Sequence, residues 1–244
     1  MPAALTGISS MATRQLLAEL AARWQQHAGT PLAIESTGGV DAARRVQGGE
    51  AFDVVFLAAG AIDKLVAAGA AVAGSRVDLV RSPMAVAVRA GAARPDISTE
   101  SALRDAVRAA GRVAYSTGPS GDHLLRLVER WDPAGALRAR CVQAPPGVPV
   151  GELVARGDAE LGFQQLAELI KLPGVELLGT LPPHCEHTTV FAGAVCTASR
   201  RAGEVRGLLA WIASPAADDA IRRHGMLPAR DAAPTTPDAK EPRA

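Results

Sequence analysis

Lysine, cysteine and tyrosine are scarce in this 244-residue chain. Three lysines stand beside 23 arginines and the formal charge is +1, so no basic face for nucleic acid or an anionic membrane is expected. The arginine excess reads as compositional bias, and each arginine counts as solvated until a motif recruits it. The three cysteines, Cys141, Cys185 and Cys196, are far apart and form neither a zinc-ribbon nor a redox pair. A reduced, cytoplasmic chain is therefore expected. No apolar run approaches the roughly 20 residues needed to span a bilayer. No basic segment and apolar core of an export signal precede the first strand at Leu5, and a periplasmic location would require that such a signal had been trimmed. The chain also lacks a Gly-x-Ser-x-Gly nucleophile elbow and a Gly-x-x-x-x-Gly-Lys phosphate loop.

Short apolar runs alternate with stretches of period near 3.6, the pattern of an α/β protein with largely parallel sheets. Leu5 to Ile8, Leu32 to Glu35 and Val54 to Leu57 read as strands. Met11 to His27 reads as a helix with Leu16, Leu17, Leu20 and Trp24 on one stripe, stopped by Gly29. Around Val77 to Val88 a long strand is interrupted by Pro83, as expected where a chain crosses between lobes. A second α/β series follows, and Thr188 to Thr197 reads as the returning strand. The predicted division is residues 1–80 plus 187–230 for one lobe, 81–186 for the other, and a disordered tail over 231–244.

Four strand-to-helix junctions are built from small residues: Gly7-Ile8-Ser9-Ser10, Ser36-Thr37-Gly38-Gly39, Thr117-Gly118-Pro119-Ser120-Gly121 and Pro145-Pro146-Gly147-Val148. Such junctions lie at the carboxyl ends of strands, where open sheets bind ligands, and the free N–H groups of facing helix starts attract anions. Ser9, Ser36 or Ser120 taken alone reads more readily as an ordinary helix cap; three in corresponding positions, each followed by Gly or another small residue, point to a site.

Ser9-Ser10 ahead of an amphipathic helix, Ser36-Thr37-Gly38-Gly39, Asp53-Val54-Val55-Phe56 and Ala159-Glu160-Leu161-Gly162-Phe163 together resemble the molybdate-binding proteins of ABC importers, over about Leu5 to Leu227. The resemblance implies a two-lobed, periplasmic-binding-protein-like (type 2) α/β fold with a ligand cleft between the lobes. It also implies an oxyanion held by two serines, backbone amides and a tyrosine hydroxyl. Carried over, the serines fall at Ser9 or Ser10 and at Ser36 or Thr37, beside Gly38, with the amides near Ser120-Gly121 and Val148. Gln165 takes the place of the tyrosine, offering donor and acceptor where a phenol chiefly donates, which argues against molybdate.

A branch of the same family resembles aconitate isomerase, and this resemblance implies a proton shift on a small unsaturated polycarboxylate. Arg81, next to the expected crossover, is the expected cationic clamp, and Arg44, one turn into a cleft helix, is the second candidate. His123, just inside the helix opened by Ser120-Gly121, is the expected base, and Tyr115, the lone tyrosine, the expected acid. His184, Cys185 and His187 form one compact group, too little for an expected metal site; no metal or cofactor is expected. Two functions stand side by side: this isomerase, and a non-catalytic protein that binds a small anion for transport or sensing. The only expected partner is the small anionic ligand or substrate, joined by an ABC permease if the second holds.

Overall fold

The structure is a computed structural model and describes residues 3–145 and 147–231; the expected disordered tail lies, apart from Asp231, outside the described residues. The first series runs β1 (Leu5–Ser10), α1 (Arg14–Ala28), β2 (Leu32–Thr37), α2 (Gly39–Gln47), β3 (Val54–Ala58) and α3 (Ala59–Ala67). The long β4 (Val77–Arg89) leads into α4 (Glu100–Ala109), β5 (Val113–Tyr115), α5 (Pro119–Trp131), β6 (Cys141–Gln143), α6 (Val150–Arg156), β7 (Leu161–Gln165), α7 (Leu166–Leu169) and β8 (Val175–Thr180). The chain returns through β9 (Thr188–Val195) and ends in α8 (Ala202–Ile212), α9 (Asp218–Arg223) and β10 (Leu227–Pro228).

Strand order is β2-β1-β3-β9-β4-β7-β5-β6, with β8 and β10 also on β4. Within each series the neighbours are parallel, as connections through helices demand: β2-β1-β3 in one, β6-β5-β7 in the other. Antiparallel β9 and β4 lie between them. The amino-terminal part of β4 pairs with β9 and β10 as far as Pro83, and from Met84 onward it pairs with β7 and β8. Proline fits this switch because it has no N–H to give to a ladder. The result is the expected two-lobed α/β architecture.

Each lobe has its own core. Leu16, Leu17, Leu20 and Trp24 of α1 pack with Leu208, Leu209 and Ile212 of α8 on one face of the first sheet, while Val46, Ile62 and Leu65 cover its other face. Leu103, Leu124, Val128 and Phe163 centre the second lobe. The helix α1 ends at Gly29, whose φ of 69° supplies the left-handed turn that a side chain would resist. Its first residues depart from expectation: Met11–Thr13 form a 3-10 turn before the α-helix starts at Arg14.

Candidate anion-binding cavity

A cavity of about 800 Å³ lies between the two series. Five helix starts contribute to its wall: Ser10 to Ala12, Gly38 to Val40, Ala58 to Ala61, Thr117 to Ser120, and Gly147 to Pro149. Strand ends bring Gln164 and Gln165 from β7 and Thr188 to Phe191 from β9. The parallel strands of both series therefore aim their carboxyl ends at one space, and the amino ends of the following helices come with them. Exposed Arg44 and Lys64 also line the cavity, and Arg44 is already paired with Asp41.

The small-residue junctions divide into groups that face the cavity and groups that support them. Ser10 lines it, and its buried Oγ has no hydrogen-bond partner among the described residues. Ser9, one residue earlier on β1, is fully buried, lies outside the lining and shares a 2.8 Å hydrogen bond with the Ser36 hydroxyl across the β1–β2 register. Thr37 donates to Asp41 Oδ2 at 3.2 Å and also stays outside the lining. Gly38, Ser120 and Val148 line the cavity; the Ser120 hydroxyl meets Ser116 Oγ at 2.9 Å, and the Val148 N–H is used by the Pro145 carbonyl at 3.0 Å. Gly121 lies behind Ser120, its N–H bonded to the Gly118 carbonyl at 2.9 Å.

Arg81, Tyr115 and His123 are not on the wall. Arg81 sits where β10 joins β4, opposite Leu227. Tyr115 is 5% exposed and belongs to the core of the second lobe, with the Arg138 guanidinium over its ring. His123 is turned away by its place in α5: its Nε2 meets the Cys185 carbonyl at 2.9 Å. Since a carbonyl can only accept, that nitrogen carries the proton. The ring stacks on His187, centroids 4.6 Å apart, and His187 is the one that reaches the lining. Burial is the main force holding both imidazoles below the usual histidine range. Among the described residues no three potential metal ligands converge; His184 is exposed and Cys185 is buried.

Gln165 is nearly fully buried on the lining, with Nε2 donating to Thr189 Oγ1 at 2.7 Å and Oε1 without a partner among the described residues. The residues that sequence reasoning passed over lie beside it. Gln164 Oε1 accepts from the Val150 N–H at 2.9 Å, and its Nε2 donates to Glu168 Oε1 at 2.7 Å. Glu168 lines the cavity half-buried, has no cationic partner among the described residues, and desolvation pushes its carboxyl up to about 8. A signal was present: two adjacent glutamines close an otherwise apolar strand, and a glutamate follows one helical turn later.

The family of bacterial extracellular solute-binding proteins matches residues 5–227. An aconitate isomerase from Pseudomonas sp is 38% identical over 232 residues, covering 92% of this chain and 87% of the relative. Among solved structures, the Azotobacter vinelandii periplasmic molybdate-binding protein superposes with a TM-score of 0.73 at 21% identity, covering 91% of this chain and 98% of that one. The sulfate-binding protein SubI of Mycobacterium tuberculosis H37Rv gives a TM-score of 0.75 at 16% identity, covering 94% and 88%. The fold, the cavity at its strand ends and the match along nearly the whole sequence agree: the chain belongs to the bacterial extracellular solute-binding protein family and is a homologue of aconitate isomerase.

Proposed function

We propose that the protein isomerises a small unsaturated tricarboxylate, aconitate, by a proton shift inside this cavity. The observation that carries the reading is the 38% identity to an aconitate isomerase along 92% of the chain. The cavity's chemistry supports it. A polyanion leaves water only if donors replace its hydration, and converging helix starts offer N–H groups and positive dipole ends. On this reading Ser10, Gly38, Ser120 and Gln165 hold carboxylates, with Arg44 and Lys64 at the wall supplying charge. Ser9, Ser36, Thr37, Gly121 and Val148 keep the loops in place. The lobes, 1–80 with 187–230 and 81–186, would close on the substrate. A cytoplasmic setting is supported by three unpaired cysteines, two of them buried; among the described residues, no helix is long and apolar enough to cross a membrane.

The direct test is incubation of the purified protein with cis- or trans-aconitate in deuterium oxide. Interconversion of the isomers, with solvent label entering the carbon skeleton if the base exchanges its proton, is expected. A thermal-shift series should show stabilisation by aconitate exceeding that by molybdate or sulfate, because only a ligand of the native state raises Tm. Stabilisation by these ligands without isomerisation would return the protein to a binding role.

A further inference from the structure

Isomerising aconitate requires a group that removes a proton from one carbon and delivers one to another. We infer that Glu168 is that group, held in position by Gln164; the inference rests on the isomerase reading above. Other titratable or charged side chains on the cavity wall are Arg44 from α2, Lys64 from α3, Asp122 from α5 and His187 ahead of β9. Asp122, Arg44 and Lys64 are exposed to solvent. The His187 ring is covered on one face by His123, and its Nε2 lies 3.3 Å from Thr189 Oγ1.

Glu168 differs from all four in how it is anchored. The Val150 N–H can only donate, so it fixes the Gln164 amide with Oε1 toward α6 and Nε2 toward Glu168. The Gln164 Nε2–H occupies Glu168 Oε1 whether the carboxyl is ionised or protonated. The mobile proton is thereby confined to Oε2, which receives no hydrogen bond from the described residues. A carboxyl with one oxygen pinned and the other free is oriented for proton transfer. Its raised pKa, caused by burial without a cation among the described residues, poises it between acid and base near neutral pH.

The step balances with one residue. Ionised Oε2 takes a proton from the methylene carbon; the C–H bond breaks, an O–H bond forms, and the electron pair spreads through the allylic system into a neighbouring carboxylate. The same O–H then gives the proton to the far vinylic carbon, the double bond settles between the other pair of carbons, and Glu168 is ionised again. No oxidant or second reactant is consumed. Charge that develops on the carboxylate during the transfer falls among the donors at the helix starts.

The test compares wild type with E168Q and E168D. Glutamine keeps the size and the oxygen that accepts from Gln164 but cannot take the proton. E168Q should lose about 100-fold or more in kcat, together with solvent deuterium incorporation. It should still bind tricarballylate, a saturated tricarboxylate that cannot isomerise, with close to wild-type affinity by calorimetry. E168D, with a shorter reach, should retain partial turnover. Wild-type kcat/KM should rise with pH through an ionisation that E168Q lacks. Turnover and label exchange at the wild-type rate in E168Q would overturn the inference alone, as would loss of tricarballylate binding in step with activity, which would make Glu168 a binding group. A wild-type protein that binds tricarballylate yet neither isomerises aconitate nor exchanges its protons would overturn the isomerase reading and this inference with it.

Discussion

Two serines one residue apart on β1 have opposite duties. Side chains alternate across a strand, so Ser9 and Ser10 cannot both face the cavity. Ser9 is spent on Ser36, while Ser10 keeps a buried hydroxyl without a partner, costly unless a ligand completes it. Opposite outcomes are expected for their alanine variants. Ser9→Ala should lower unfolding stability by about 1 kcal/mol in urea titrations, because the Ser36 hydroxyl loses its partner, with little effect on tricarballylate affinity. Ser10→Ala should leave the ligand-free stability near wild type and weaken tricarballylate binding about tenfold, the equivalent of about 1.4 kcal/mol. Unchanged affinity in Ser10→Ala would remove that hydroxyl from the binding set. From sequence the choice between the two serines was open, because β1 is buried on both faces near its end and gives no alternation to read.

At the level of elements, helix starts were legible because their marks are local: Gly, Ser and Pro at the junction and an apolar stripe beyond. Pro119 does open α5, and Gly38 does precede α2. What local marks cannot give is the rotation of a helix about its axis. His123 stands in the first turns of α5, as expected, yet its ring reaches the Cys185 carbonyl because the helix packs tightly on the end of β5. Gly121 permits that packing: a Cβ there would lie 1.8 Å from the Ser116 carbonyl oxygen. Gly121→Ala should therefore cost about 3 kcal/mol or more and perturb the cavity wall at Ser120, read by urea denaturation and by loss of tricarballylate binding. A stable, binding-competent Gly121→Ala would mean that α5 can shift without consequence. Strand β8 escaped notice for another reason: Val-Glu-Leu-Leu-Gly-Thr has no alternation, and among the described residues it pairs with the distal part of β4 alone. Glu168 was missed because α7, at four residues, is too short to show a period.

For the molecule as a whole, the resemblance carried the overall fold and the small-residue junctions pointed to helix starts that line the cavity, whereas the inner wall depends on contacts between distant segments. Gln164, Val150 and Glu168 become a unit only when β7 closes beside α6. That unit leaves a mark on global stability. Glu168 is raised in the folded state from the ordinary 4.5 to about 8, so between those values the native protein holds a proton that the unfolded chain has released. Its ionisation thus makes stability fall as pH rises through that interval, with no further loss above it. His123 and His187 act in the opposite sense, since their depressed affinity for protons removes stability as pH falls through the ordinary histidine value of 6.5. The melting temperature of E168Q should exceed that of wild type by a few degrees at pH 9 and converge with it near pH 4. Parallel curves across that range would show that Glu168 ionises freely in the folded protein.

The partner switch along β4 also bears on how such a protein can diversify. Pro83 stands opposite Thr188 in the β4–β9 register, so the stretch from Met84 to His187 leaves and re-enters the remaining fold at adjacent points. That stretch behaves topologically as a cassette inserted into a host, with both ends meeting at one doorway. It carries Ser120, Val148, Gln165 and Glu168, while the host carries Ser10, Gly38, Arg44 and Lys64. Exchanging the cassette would replace the proton-handling wall and leave the opposite wall untouched. New chemistry could thus be grafted onto an inherited anion site without redesigning the host lobe.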